Sequence, residues 1–335
     1  MFQPLGFQQT SIVTSLGRIV YDTADPKSWL ENLAPPREPE PEADPLTASA
    51  RPTPEPDTST PWPTLVFLHG FGGGSSAYEW SKVYPAFVTD CRILAPDLLG
   101  WGRSEHPARD YRIDDYLTTI AEFLEQTCSG PVTVIASSLT AAFCIRLAIA
   151  RPELFQALIL TTPAGLSDFG EDYRRNFFAQ LVGTPVLDRL LYSFAIATEG
   201  GIRSFLETRQ FANPDRVYPE LVAAYLASAS QPNAEYSALA FVRGDLCFDL
   251  SLTIADLTTP TAILWGEESQ FTGPDLGQRL AALNPKAIKL FQRLPGIGLT
   301  PQLEAPELTI ALIRHCLTLL QGATDAPEGS TPEGS

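Results

Sequence analysis

The chain has 335 residues, 44% of them hydrophobic and 19% charged, with a formal net charge of −16. That is the balance of a soluble globular protein with room for a sizeable core, and an acidic surface without a basic patch makes nucleic acid and anionic membranes poor partners. Five scattered cysteines (Cys91, Cys128, Cys144, Cys247, Cys316) with no CxxC spacing point to a reducing, cytoplasmic setting, away from a disulfide framework or a zinc site. No metal or cofactor is expected. No apolar run reaches the roughly 20 residues of a membrane helix, and the N-terminus lacks the basic start of a secretory signal.

In chain order, TSLGRIVYDT predicts a hairpin within residues 1–32 that belongs to the core. Residues 33–63 hold ten prolines and almost no large apolar side chain, so they cannot bury enough surface to offset ordering and are expected to be a disordered insertion. A spacer is the plain reading, and docking of a protein partner is the functional one. Short apolar runs typical of buried parallel strands follow at 64–70, 92–98, 132–138, 157–163, 261–267 and 287–294. Between the second and third, residues 113–127 place Ile113, Tyr116, Leu117, Ile120, Phe123 and Leu124 on one helical face. Such alternation predicts an α/β protein whose mostly parallel central sheet is flanked by helices, built from residues 64–165 and 251–321. Residues 166–250 interrupt it without a strand signal, yet hold thirteen of the 28 Phe and Tyr residues. A helical lid fits this, its aromatics packing it onto the body and lining an apolar pocket. Residues 322–335 read as a disordered tail.

Ligands of parallel sheets sit beyond the carboxyl ends of the strands. Three loops there stand out: HGFGGGSSAYEW (69–80), DLLGWGRSEHP (97–107) and IASSLTAAFCIRLAIARPE (135–153), a strand, a sharp turn at Ser138 and a helix. With WGE (265–267) and GIGLTPQLEAPE (296–307), they resemble the α/β-hydrolase fold superfamily over nearly the whole folded chain. The resemblance implies a nucleophile elbow at Ala136-Ser137-Ser138-Leu139-Thr140, with Ser138 at the nucleophile position and Thr140 where the elbow favours glycine. It also implies an oxyanion hole from the N–H groups of Phe71 and Leu139, in a loop begun by His69 and Gly70 and continued by Gly72. The acid would follow the WG strand, where WGEES puts Ser269 at its position. The histidine would sit in the glycine turn before the last helix, where Leu299 stands.

By this resemblance the chain is a member lacking both catalytic acid and histidine. A serine hydroxyl needs an adjacent base, and the base an orienting acid. Of the three histidines, His69 is expected to brace its turn, His106 to be a loop residue and His315 to pack within the last helix beside Leu308, Leu312 and Leu319. Glu267, Glu268 or Asp168 offers a carboxylate, but an acid without an imidazole rebuilds no relay, and Cys144 is expected to be an inert buried thiol. The expected function is therefore non-hydrolytic binding of a small apolar ligand or a protein partner. The alternative is an esterase-like serine hydrolase with a rearranged site. YEWSKVYPAF followed by DLLGWGRSEHP is further similar to hydrolase-fold proteins of photosynthetic lineages acting on chlorophyll-like or prenyl substrates, which implies a large apolar ligand.

Overall fold

A computed structural model describes residues 3–33, 62–171, 192 and 197–324. Most of the proline-rich insertion (34–61), residues 172–191 and the last eleven residues, on which two disorder expectations and part of the lid fall, lie outside the described residues.

Each apolar run forms a strand. β1 (Gln8–Thr14) and β2 (Gly17–Ala24) make the hairpin, α1 (Pro26–Leu33) follows, and β3 (Thr64–Leu68) and β4 (Arg92–Pro96) enter the sheet. Then come α2 (Ile113–Thr127), β5 (Val132–Ser137), α3 (Ser138–Ala150) and β6 (Phe155–Thr161). After an insert containing α4 (Glu199–Phe205), α5 (Pro219–Ala229) and α6 (Ala234–Val242), the body resumes with β7 (Thr261–Gly266), α7 (Pro274–Ala282), β8 (Ile288–Leu294) and α8 (Pro306–Thr324). The last helix extends three residues into the expected tail. The eight strands lie in the order β1-β2-β4-β3-β5-β6-β7-β8, antiparallel only where β2 meets β1 and β4.

The runs are continuous because the central strands are covered on both faces. Val66, Leu68, Leu94, Val134, Ala136, Leu158, Leu160 and Ile263 pack in one core with α2, α3 and the insert. Their chain neighbours Leu65, Phe67, Ile93, Ala95, Ile135, Ile159, Ala262 and Leu264 point the other way, onto Trp80, Tyr84, Phe87 and α8. Successive strand residues alternate faces, so a strand buried on both sides carries no polar alternation. Exposed edge strand β1 instead offers Gln8, Gln9, Thr10 and Ser11, which discourages pairing with another chain.

A buried ion cluster fixes the strand-end loops to the hairpin. Arg103 reaches Asp22 on β2 (Nη1–Oδ1 2.8 Å) and Asp97 after β4 (Nε–Oδ2 2.7 Å), and Asp97 also accepts from the N–H of Ala77 at 2.7 Å. Gly102 crosses over this carboxylate at φ +57°, where a Cβ would come within 2.3 Å of Asp97 Cγ, so no other residue fits. Both acids are buried, and removing the cation strands two charges in the core. Arg103→Met is expected to cost about 3–5 kcal/mol in urea unfolding; a loss below about 1 kcal/mol would contradict this account of the loops.

Candidate functional site

β5 runs straight into α3, and the junction falls on Ser138 with φ +57°, the left-handed bend expected of a strand-to-helix elbow. Thr140 is accommodated in the core with its hydroxyl unpartnered. Gly70 leaves the gap beside Ser138, since a Cβ there would lie 3.3 Å from Ser138 Cβ. Among the described residues, the N–H groups of Phe71 and Leu139 donate to no protein acceptor, which leaves them available to an oxygen bound at the bend. Gly70 donates its own N–H to buried Glu79 (Oε2, 2.9 Å), and Gly72 packs against Phe205 of α4.

The helical insert is fastened over this loop. Tyr225 of α5 donates to Glu79 Oε1 at 3.0 Å and accepts from Gln210 Nε2 at 2.9 Å, while the Gln210 carbonyl accepts the N–H of Leu299 at 2.8 Å. A second carboxylate, Glu304, accepts from the N–H groups of Gly298 (2.7 Å), Asn213 (2.9 Å) and Ala212 (3.1 Å). These carboxylates join the elbow side, the insert and the Leu299 loop. Gly298 lies so close to the Gln210 carbonyl that a Cβ would approach it to 2.4 Å. Nothing in the sequence marks Glu79 or Glu304 as site residues, because their partners come from segments remote along the chain.

Ser138, Phe71 and Leu299 line one cavity of about 10 Å³, with Thr162, Ala164, Leu166, Phe241, Phe271 and Thr272, room for about one water. The two positions matched to nucleophile and histidine thus face a common space. His69, Gly70, Gly72, Leu139 and Ser269 do not line it. Ser269, on the loop after β7, is half-buried with an unpartnered hydroxyl. A wider groove of about 920 Å³ between Tyr111, Arg146, Tyr236 and Arg243 shares no residue with the Ser138 cavity.

None of the three histidines is hydrogen-bonded to Ser138. His69 accepts the Leu98 N–H at Nε2 (3.0 Å), so its proton is on Nδ1, which donates to the Gly70 carbonyl (2.8 Å); it braces the turn. His106 Nε2 bonds the Gly102 carbonyl at 3.2 Å, leaving Nδ1 buried without a partner, and burial lowers its pKa. His315 corrects an expectation: it is exposed. The stripe through Leu308, Leu312 and Leu319 is offset by one residue from Thr309, Ile313, Cys316 and Leu320, which are the ones buried, and on α8 one residue is about 100° of rotation. Asp168 is buried and committed to the N–H groups of Gly165, Leu166 and Leu250 (2.9, 3.3 and 2.8 Å), with its pKa pushed up to about 6 by burial. Burial also raises the Cys144 thiol, so it stays protonated and unreactive. Among the described residues no helix is long and apolar enough to cross a membrane.

The model of the alpha/beta hydrolase fold family matches residues 63–306. A Mycobacterium tuberculosis protein of unassigned activity is 30% identical over 105 residues, 31% of this chain and 30% of that protein's length. A haloalkane dehalogenase of Bradyrhizobium diazoefficiens is 24% identical over 240 residues, covering 66% of this chain and 76% of the relative. Among solved structures, an epoxide hydrolase without ligand superposes with a TM-score of 0.70 at 20% identity, over 94% of this chain and 99% of that one, a likeness of fold.

Glu304→Ala strips an acceptor from the buried N–H of Gly298 and the part-buried N–H groups of Ala212 and Asn213, and is expected to cost about 2 kcal/mol. Amide exchange should accelerate in the loops at 212–213 and 298–299 before it does in the sheet; unchanged exchange there would refute the tether.

Proposed function

The chain belongs to the α/β hydrolase fold family, and within it we propose a member that binds a small apolar ligand beside Ser138 without hydrolysing it through a serine triad. The observation behind this reading is the company Ser138 keeps. Leu299 lines the cavity with it, and each histidine is engaged by backbone groups or exposed on α8. Without a base the hydroxyl keeps an alcohol's weak nucleophilicity. Oxyanion donors and binding alone are worth about 10³–10⁴-fold over water in a disabled triad, too little for ester or amide turnover as a main activity. Ala164, Leu166, Phe241, Phe271 and Leu299 make the wall greasy, which favours an apolar ligand over a charged one. Its volume admits only the end of such a ligand, so uptake requires the aromatic wall to part, as in pockets that open on binding.

The second reading, a serine hydrolase with a rearranged site, draws on one observation: His106 Nδ1 is buried without a partner, and burial keeps the ring neutral and so able to take a proton. Turnover separates the two. On a panel of aryl esters and epoxides, wild type and Ser138→Ala are expected to give the same background rate; turnover lost only in Ser138→Ala would establish the hydrolase. The positional reading has its own test. Installing Ser269→Asp with Leu299→His should raise aryl-ester hydrolysis at least about 100-fold over wild type, and no gain in a folded double variant would reject the matched positions.

A further inference from the structure

Thr162, immediately after β6, combines three features that do nothing for folding. It is 1% exposed, its φ of +47° is left-handed, and its hydroxyl has no hydrogen-bond partner. A β-branched residue rarely adopts that conformation, and a buried hydroxyl without a partner loses its hydration uncompensated. The backbone is nonetheless pinned there, the Thr162 N–H donating to the Leu264 carbonyl at 2.8 Å. Four residues on, Leu166 is left-handed too, at φ +66°. Both residues line the Ser138 cavity. Strain gathered at one cavity wall is grounds for asking what that wall holds.

Thr272, on the loop after β7, repeats the pattern: it lines the cavity, and its Oγ1 is buried without a partner. Adjacent strands β5, β6 and β7 thus each deliver one hydroxyl residue to the cavity: Ser138, Thr162 and Thr272. Among the described residues no ionisable side chain lines it, so a carboxylate or ammonium would be desolvated there without a counter-charge from them. Phe71, whose N–H can only donate, lines it as well. Each hydroxyl can rotate to donate, so with the Phe71 N–H the wall offers donors to a neutral oxygen, and a carbonyl oxygen accepts through two lone pairs. The volume of about 10 Å³ matches a single oxygen atom.

We propose that Thr162 and Thr272 form a hydroxyl clamp for the carbonyl oxygen of a neutral, otherwise apolar molecule such as a ketone. This rests on the reading that the Ser138 cavity binds an apolar ligand, and it adds the functional group that the ligand carries. Recognition comes from filling hydroxyls that the folded chain leaves unbonded.

The test is calorimetric titration of the full chain with 2-octanone, octanoate and toluene. Wild type is expected to bind 2-octanone and to reject octanoate. Thr162→Val keeps the shape and β-branching but removes the hydroxyl, and should weaken 2-octanone about tenfold while leaving toluene unchanged. Thr162→Ser restores the hydroxyl and should bind 2-octanone within about twofold of wild type. Equal 2-octanone affinity in wild type and Thr162→Val overturns the clamp, as does equal weakening in the Val and Ser variants. A wild type that takes toluene but not 2-octanone overturns the clamp and leaves the apolar-ligand reading standing; one that takes neither overturns both.

Discussion

At Ser138 the backbone must leave a strand and enter a helix within one residue, and it does so only at φ +57°. That bend costs on the order of 1–3 kcal/mol for a residue with a side chain, so everything around it has to hold it in place. β5 is fixed between β3 and β6 in register, α3 is buried along nearly its whole length, and Gly70 withholds the side chain that would crowd the bend. The hydroxyl is presented to a cavity as a consequence of sheet geometry, whatever chemistry it then finds there.

The loop that faces it has an architecture independent of the residue at its tip. Gly298 passes against the Gln210 carbonyl, the N–H of Leu299 is bound by that same carbonyl, and Glu304 gathers three further N–H groups from both sides. None of these interactions involves the side chain at position 299. Such a loop does not depend on the side chain at its tip for its shape, and Leu299 lines the cavity there with Ser138. The three histidines are bonded to backbone groups or lie at the surface, and none of them is hydrogen-bonded to Ser138.

The strands were legible because a strand covered on both faces cannot alternate with polar residues, and all six central runs reappear within two residues of their expected starts. The antiparallel hairpin and the helix over 113–127 were equally plain. Motif spacing put Leu299 opposite Ser138, and the two line one cavity. The buried acids were not legible. Glu79, Glu304 and Asp168 look like surface carboxylates in the sequence, and only folding supplies the N–H groups that satisfy them. His315 was misplaced because α8 carries two apolar stripes one residue apart, and periodicity alone cannot choose between them. Thr162 gave no signal at all, since a left-handed threonine is a property of the strand end rather than of the residue.

The proposed function depends on the state of a single oxygen, the Ser138 Oγ, which has none of the three histidines as a hydrogen-bond partner. Mass spectrometry after brief exposure to a fluorophosphonate reads that state directly, because phosphonylation requires an activated hydroxyl. Ser138 is expected to stay unmodified, or to react no faster than other serines of the chain. Rapid, stoichiometric labelling at Ser138 would mean that a base reaches it, and would contradict the account.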